Sequence, residues 1–490
     1  MNLLILIPII LPILAGALLP LLVPSEDRRK RQIYVASVVV LNAIIVVFIA
    51  SLGDMELRAL HLNSAINFYV RLDDLARFFM VVASLIWVLV TFYSFEYLKP
   101  LGKDNMFFAF FLMTYGVIIG ACLSGNFFTL YLFYELMTLF TYPLVIHSGT
   151  DAAMRAGSKY LIYSFFGAAL TLIGFAFVAN YGITTDFIAG GVLNSALVAG
   201  NEGVLLVVFL LAFIGFGCKA YIWPLFEWVP ISYPEAPSPA AALLSGVVSK
   251  VAVLAIIRMT YYTFGVDFLA GSWVQTMLIC ITLLTVFAGS MLAYKEKLFK
   301  RRLAYSSVSQ LSYILFGLVL LNSLAFLGAM LHVLFHAIIK AALFLSAGAV
   351  IYKTGKNYVY ELRGIGKAMP ITMWCFTIAA VSLVGIPPTG GFVSKWFLAM
   401  GAIASDYPVL GLVGVGVLLI SALLTAGYLI SIVAAAFFPG ANFDYEKLEK
   451  SEPNKLMTVP LITLVSLCLL LGMFPKMIID FISSISALIF

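Results

Sequence analysis

Apolar runs of about twenty residues, parted by short loops that hold most of the charge, recur from one end of this chain to the other. A run of that length crosses a hydrocarbon core as an α-helix, because no water is present there to satisfy an open backbone. With 63% hydrophobic and 11% charged residues among 490, a soluble domain carrying one anchor is excluded. The chain reads as an all-α, multi-pass protein of the cell membrane.

Spans are placed near 2–23, 33–52, 74–96, 106–123, 126–147, 157–181, 203–226, 239–262, 273–294, 302–320, 324–352, 371–403, 409–437 and 455–474, about fourteen helices in all. The opening segment lacks a basic n-region and is long enough to span, so it reads as a retained first helix and not as a secretory signal. The tail KMIIDFISSISALIF is too short and too mixed to cross, and is expected to lie along the interface.

Loop charge sets the expected direction. Most of the 29 basic residues follow odd-numbered helices: Arg28, Arg29, Lys30 and Arg31; Lys99 and Lys103; Arg155 and Lys159; Lys295 to Arg302; Lys353 to Lys367; Lys447, Lys450 and Lys455. The other side holds only Arg58, Arg71 and Lys476. By the positive-inside rule both termini face outward. The net charge of +6 then needs no nucleic acid or other acidic partner, since anionic headgroups of the bilayer account for it.

Two segments interrupt the helices. WPLFEWVPISYPEAPSP ends helix 7, and GIPPTGGF lies inside helix 12. Proline removes a backbone donor and glycine loosens a helix, so the freed carbonyls must sit beside protein groups or water. Helices 7 and 12 are an odd number apart, which would set equivalent units upside down. The pattern predicts two inverted five-helix repeats, helices 4–8 (106–262) and 9–13 (273–437), with discontinuous helices 7 and 12. Residues 1–105 add helices 1–3, and 438–490 add helix 14 and the tail.

Against this apolar background stand Glu135, Lys219, Lys250, His332, His336, Lys340 and Lys395. A lysine near a bilayer centre costs about 2.5 kcal/mol or more, so such residues mark a path for charge. Lys219 and Lys395 each lie within a few residues of a helix break. Glu135 is the one carboxylate placed deep in the first half, and its distance from Lys219 would decide whether that lysine holds its proton. Lys250 falls mid-membrane on helix 8. His332, His336 and Lys340 recur every fourth residue on one helical face. Arg258, near the outer end of helix 8, is expected to snorkel.

His332 and His336 have the spacing of a metal pair, but the neighbouring lysine and the lack of acidic or thiolate partners on that helix argue against a metal. Five scattered cysteines form no CxxC pair, and there is no Gly-rich phosphate loop. No cofactor, redox centre or catalytic site of its own is expected.

Taken in order, FYELMTLFTYPLV, GFGCKAYIWPLFEWVPISYPEAPSPAAALLSGVVSKVAV, KLFKRRLAYSSVSQLSYILFG, LHVLFHAIIKAALFLSAGAV and GIPPTGGFVSKW resemble the antiporter-like subunits shared by respiratory complex I, the energy-converting membrane-bound hydrogenases and the Mrp cation antiporters. The resemblance covers almost the whole chain. It implies a fourteen-helix fold with broken helices 7 and 12. It also implies that Glu135 and Lys219 form a modulated pair, that Lys250 is the central relay with His332 and His336, and that Lys395 is the exit-side terminal. Two departures stand out. Tyr233 occupies a position where the family often has histidine, and a phenol titrating near about pH 10 is a poorer proton carrier. Lys395 stands where one complex I subunit type has glutamate.

The reading that follows is a proton-translocating subunit of a multisubunit membrane redox complex, partnered by other membrane subunits and a cytoplasmic redox arm. Lysine and histidine repel a bare cation, so H+ is favoured and Na+ coupling would belong to another subunit. The alternative is an Mrp-type Na+/H+ antiporter subunit without a redox partner. A membrane-embedded acyl or glycosyl transferase using a buried histidine would have no use for three separate mid-membrane lysines.

Overall fold

The computed structural model describes residues 2–63, 65–440, 443–444 and 449–490; Lys447, counted above among the basic loop residues, lies outside the described residues. Helices α1 (Leu3–Leu22) and α2 (Arg28–Ala50) are followed by an antiparallel hairpin, β1 (Met55–His61) and β2 (Asn67–Leu72). Then come α3 (Asp74–Tyr97), α4 (Asp104–Cys122), α5 (Phe127–Val145), α6 (Asp151–Tyr181), the broken α7a (Glu202–Gly217) and α7b (Val229–Glu235), and α8 (Ser238–Phe264). The second part holds α9 (Trp273–Lys295), α10 (Phe299–Val319), α11 (Ser323–Thr354), the broken α12a (Pro370–Val384) and α12b (Gly390–Ile403), α13 (Pro408–Phe437), α14 (Lys455–Met473) and a short α15 (Lys476–Ser486).

Helix starts are set by polar residues at the ends of the apolar runs. Asp73, Asn126, Thr150, Ser272 and Asn322 each accept a hydrogen bond from a backbone N–H in the first turn of α3, α5, α6, α9 and α11, satisfying donors that a helix cannot. Eleven helices among the described residues are long and apolar enough to cross a membrane. Length and apolarity by themselves account for eleven of the fourteen expected spans. Expected helices 7 and 12 are divided into shorter apolar pieces, and α10 carries Lys300, Arg301, Arg302 and a series of serines.

The packing is layered by polarity. The apolar window of α8 is buried on every side and that of α11 almost so, whereas α1, α2, α6 and α13 present apolar faces outward. Small residues let outer helices approach closely: a Cβ on Gly16 of α1 would lie 2.5 Å from the Ala109 carbonyl of α4, and one on Gly116 of α4 only 2.3 Å from that of Ile9. Helix α15 lays Ile482 and Ile485 against the protein, and its Ser486 Oγ meets Ser323 Oγ of α11 at 2.8 Å.

Three features differ from expectation. The loop after α2 is a hairpin, in which Met55 faces Leu72 and Glu56 faces Arg71. Helix 7 stops at Gly217, so Lys219 lies in the break itself. Helix α8 contains two π-helical stretches, Leu244–Val248 and Thr260–Phe264, on either side of Lys250. The breaks in α7 and α12 each contain a cis peptide bond, Trp223–Pro224 and Pro387–Pro388.

Candidate functional site, a buried lysine and histidine axis

The break after α7a turns its chain inward. Tyr221 takes a left-handed backbone (φ 64°), and the Trp228 indole donates to the Cys218 carbonyl at 3.1 Å. The Lys219 ammonium donates to the Tyr134 carbonyl at 3.1 Å and stands 3.7 Å from the centre of the Tyr134 ring. Its Nζ is 3.8 Å from Glu135 Oε1, an ion-pair distance beyond that of a hydrogen bond. The ring contact supplies a second, quadrupolar attraction for the ammonium. Lys219 is 1% exposed and Glu135 21%, so the carboxylate approaches the edge of the protein while its cation does not. Tyr134 also donates to the Phe216 carbonyl at 3.1 Å, tying α5 to the end of α7a.

Tyr221 continues inward. Its hydroxyl donates to the Leu244 carbonyl of α8 at 3.1 Å and makes a close contact with the Tyr233 hydroxyl. Tyr233 is fully buried, with its ring against Phe344. It is therefore an internal residue.

One turn further, the Lys250 ammonium is 2.6 Å from the Ser245 carbonyl, 3.3 Å from Ser249 Oγ and 2.7 Å from His336 Nδ1. Three acceptors match the three donors of an ammonium. In that arrangement His336 Nδ1 accepts and Nε2 carries the ring proton. His336 stacks on His332 with ring centres 5.7 Å apart, and His332 stacks in turn on Tyr313 at 5.6 Å. His332 Nδ1 is 2.9 Å from Ser394 Oγ. Nε2 of both histidines is buried without a hydrogen-bond partner among the described residues.

The axis ends in the α12 break. Lys395 reaches back from α12b to donate to the carbonyls of Leu383 and Val384, at 2.6 and 3.1 Å. These are carbonyls that the interrupted helix α12a leaves without a partner of its own. The ammonium sits 5.0 Å from the Tyr313 ring centre and lines a cavity of about 370 Å³ together with Trp396 and Leu418.

Lys340 leaves this line. It donates to the Leu303 carbonyl (3.0 Å) and to Ser306 Oγ (2.7 Å), which also receives the Tyr428 hydroxyl at 2.9 Å. The structure thus pairs Glu135 with Lys219 and joins Lys250, His336, His332 and, through Ser394, the neighbourhood of Lys395. Lys340 heads a side branch toward α10 and α13.

The expectation that Arg258 snorkels is overturned. It is 1% exposed, with Nη1 and Nη2 2.8 and 2.7 Å from the two oxygens of Asp73. A two-pronged pair of this kind holds a guanidinium inside. Burial alone would raise the Asp73 carboxyl, but the charge and hydrogen bonds of Arg258, with Arg71 nearby, hold it well below the usual carboxylate range.

The axis also recruits residues that sequence reading passed over: Tyr134, Tyr221, Ser245, Ser249, Tyr313 and Ser394. One signal was present. Of the three Ser-Lys dipeptides in the chain, Ser249–Lys250 and Ser394–Lys395 lie in the axis, where each serine hydroxyl is bonded, and Ser158–Lys159 does not.

Broken helices around a chain of buried lysines and histidines define a class of polytopic ion-translocating membrane protein. The chain belongs to the family described as NADH:quinone oxidoreductase/Mrp antiporter, TM, whose model matches residues 124–421. It is 30% identical over 480 residues to a Na(+)/H(+) antiporter subunit of Alkalihalophilus pseudofirmus, covering 96% of this chain and 94% of that one. It is also 33% identical over 423 residues to an NADH-quinone oxidoreductase subunit of Desulforudis audaxviator, covering 84% and 82%. Among solved structures, a chain of the Mrp complex from Dietzia sp. superposes with a TM-score of 0.86 at 21% identity, over 99% of this chain and 97% of that one. This last likeness concerns the fold.

Proposed function

We propose that this antiporter-like subunit moves protons laterally along the lysine and histidine axis, as one membrane subunit of a multisubunit redox complex with a cytoplasmic arm. The observation that carries the reading is the 2.7 Å contact between Lys250 Nζ and His336 Nδ1. It joins α8, the last helix of the first proposed inverted repeat (106–262), to α11 in the second (273–437). Approach of Glu135 to Lys219 favours a proton on that lysine, and withdrawal releases it. Tyr221 stands between Lys219 and Lys250. His336 and His332 pass the proton on by exchanging ring tautomers, with water bridging their Nε2 atoms. Lys395, in the second break, is the terminal station. Glu135, Lys219, Lys250, His332, His336 and Lys395 carry the path, and Lys340 is a branch. Most loop cations would face the cytoplasm and both termini the outside.

The second reading is an Mrp-type Na+/H+ antiporter subunit, favoured by the relative from Alkalihalophilus pseudofirmus that matches over 96% of this chain. Purification of the tagged chain from its native membrane, followed by mass spectrometry, separates the two. Redox subunits in the complex support the first reading. A set made up only of antiporter subunits sinks it in favour of the second. Proton uptake by vesicles containing the complex then tests the axis: Lys219→Ala at normal expression should abolish it, and undiminished uptake overturns the path.

A further inference from the structure

Away from the axis, on the side of the basic loops, the end of α1 and the starts of α2 and α4 enclose a cavity of about 570 Å³. Its lining changes with depth. Arg28, Arg31, Lys103 and Asp104 stand at the loop level, while Ala17 and Met113 lie below. Met113 is about 14 Å along α4 from Asp104, at 1.5 Å per residue, so the cavity runs from headgroup depth into acyl-chain depth. Leu14, Leu18 and Leu21 nearby on α1 are exposed, as suits a face turned to lipid.

Arg31 is already committed. It is 2.6 Å from Asp104 Oδ2, 2.8 Å from Asn105 Oδ1 and 3.0 Å from the Ser25 carbonyl. It therefore frames the cavity. Arg28 donates to the Lys99 carbonyl at 3.2 Å, and neither Arg28 nor Lys103 forms an ion pair among the described residues. Asp104 Oδ1 is buried with no hydrogen-bond partner among the described residues. The cavity thus offers two unpaired cations and an apolar floor.

We propose that this cavity binds a phospholipid with an anionic headgroup of the phosphatidylglycerol type. The phosphodiester lies between Arg28 and Lys103, and one acyl chain runs over Ala17 and Met113. Phosphate oxygens suit the guanidinium fork. A choline headgroup brings a positive charge to a positive site. Free phosphate leaves the apolar floor uncovered. This inference does not depend on the proton path.

The test uses the full-length chain in detergent, with dioleoyl-phosphatidylglycerol, -ethanolamine or -choline or inorganic phosphate added, read by native mass spectrometry and thermal shift. Phosphatidylglycerol should be retained over phosphatidylcholine by roughly 30-fold, from two cations near the membrane surface. The double variant Arg28→Gln, Lys103→Gln should bring the two lipids close to parity. Ala17→Phe, which fills the apolar floor and leaves the cations, should lower retention of every lipid. Equal retention of the glycerol and choline lipids, or an unchanged preference in the double variant, overturns the proposal. Stabilisation by phosphate equal to that by phosphatidylglycerol overturns it in favour of a free-anion site. Binding of phosphatidylglycerol only after a co-purifying protein is stripped away gives the cavity to that protein and overturns it as well.

Discussion

Lys250 and His336 lie 86 residues apart in the chain, yet the ammonium of one is 2.7 Å from a ring nitrogen of the other, at the centre of the helix bundle. Both side chains are buried, and the two serines beside Lys250 complete its coordination. A charge held in this way can be handed only to a specific neighbour.

Removing the amine should stop transport without unfolding the protein. Lys250→Ala is expected to lower proton translocation in vesicles by about 10²-fold or more, the range seen when a positioned acid or base is lost. Lys250→Arg should fail to rescue it, because a guanidinium does not give up its proton at neutral pH. Dye quenching in vesicles, normalised to protein content, measures both. Rescue by arginine would mean that Lys250 supplies only a fixed charge.

Glu135→Gln keeps the shape of the side chain and removes its charge. Lys219 retains the Tyr134 carbonyl and ring, so the thermal midpoint should change little. Turnover should fall by about tenfold or more, because the group that modulates Lys219 has gone. A large loss of stability with normal turnover in the surviving protein would make the pair a helix staple instead.

The Asp73–Arg258 pair is expected to act on stability. Asp73→Asn leaves a buried guanidinium without its counter-charge, a change that costs about 3–5 kcal/mol. The Asp73 carboxyl is held below its ordinary value of about 3.9. Its contribution is therefore complete above about pH 4 and fades only as pH falls through the lower folded value. Thermal midpoints of wild type and D73N should differ by a constant amount from pH 8 to pH 5. A gap that closes near neutrality would assign the effect to another group.

The α12 break leaves no room for a methyl group at Gly391. A Cβ there would lie 1.7 Å from the Ser382 carbonyl oxygen, whereas at Gly416 nothing comes within 4 Å. Gly391→Ala should lower stability by at least about 1–3 kcal/mol, and Gly416→Ala should not lower it through any clash. Parallel unfolding curves for the two variants decide the matter.

Much of the fold could be read from the chain because its rules are blunt in a membrane. The starts of α3, α5 and α11 fall within a residue of expectation, since Asp73, Asn126 and Asn322 both interrupt the apolar pattern and cap the helices. Helix α6 starts at Asp151, six residues before the expected 157, because the apolar run begins later than the helix that Thr150 caps. Helix 7 misled because Cys218, Ala220, Tyr221, Ile222 and Trp223 carry the apolar and aromatic run past Gly217 on either side of Lys219. The hairpin at Met55–Leu72 is the less legible element, because the alternation of ELRALH and NFYVRL in the period of a strand is short and lies between two much longer apolar runs.

The site was legible where burial is expensive. Glu135, Lys219, Lys250 and Lys395 stand out because nothing else explains such residues in apolar helices. Tyr134, Tyr221, Ser249 and Ser394 do not stand out, since hydroxyl side chains can bond to their own helix and occur throughout these spans. Arg258 was misread for another reason. Its partner Asp73 is 185 residues away, and no spacing rule connects them.

The π-helical stretch Leu244–Val248 has a consequence for how this gene can change. Between Pro239 and Lys250 the number of residues fixes the compass bearing of the lysine. Deleting one from its α-helical part would swing Lys250 by about 100° around α8, away from His336 and toward other neighbours. The wide turn holds one residue more than an α-turn, so a one-codon loss within Leu244–Val248 can close it to an ordinary turn and leave the bearing of Lys250 as it is.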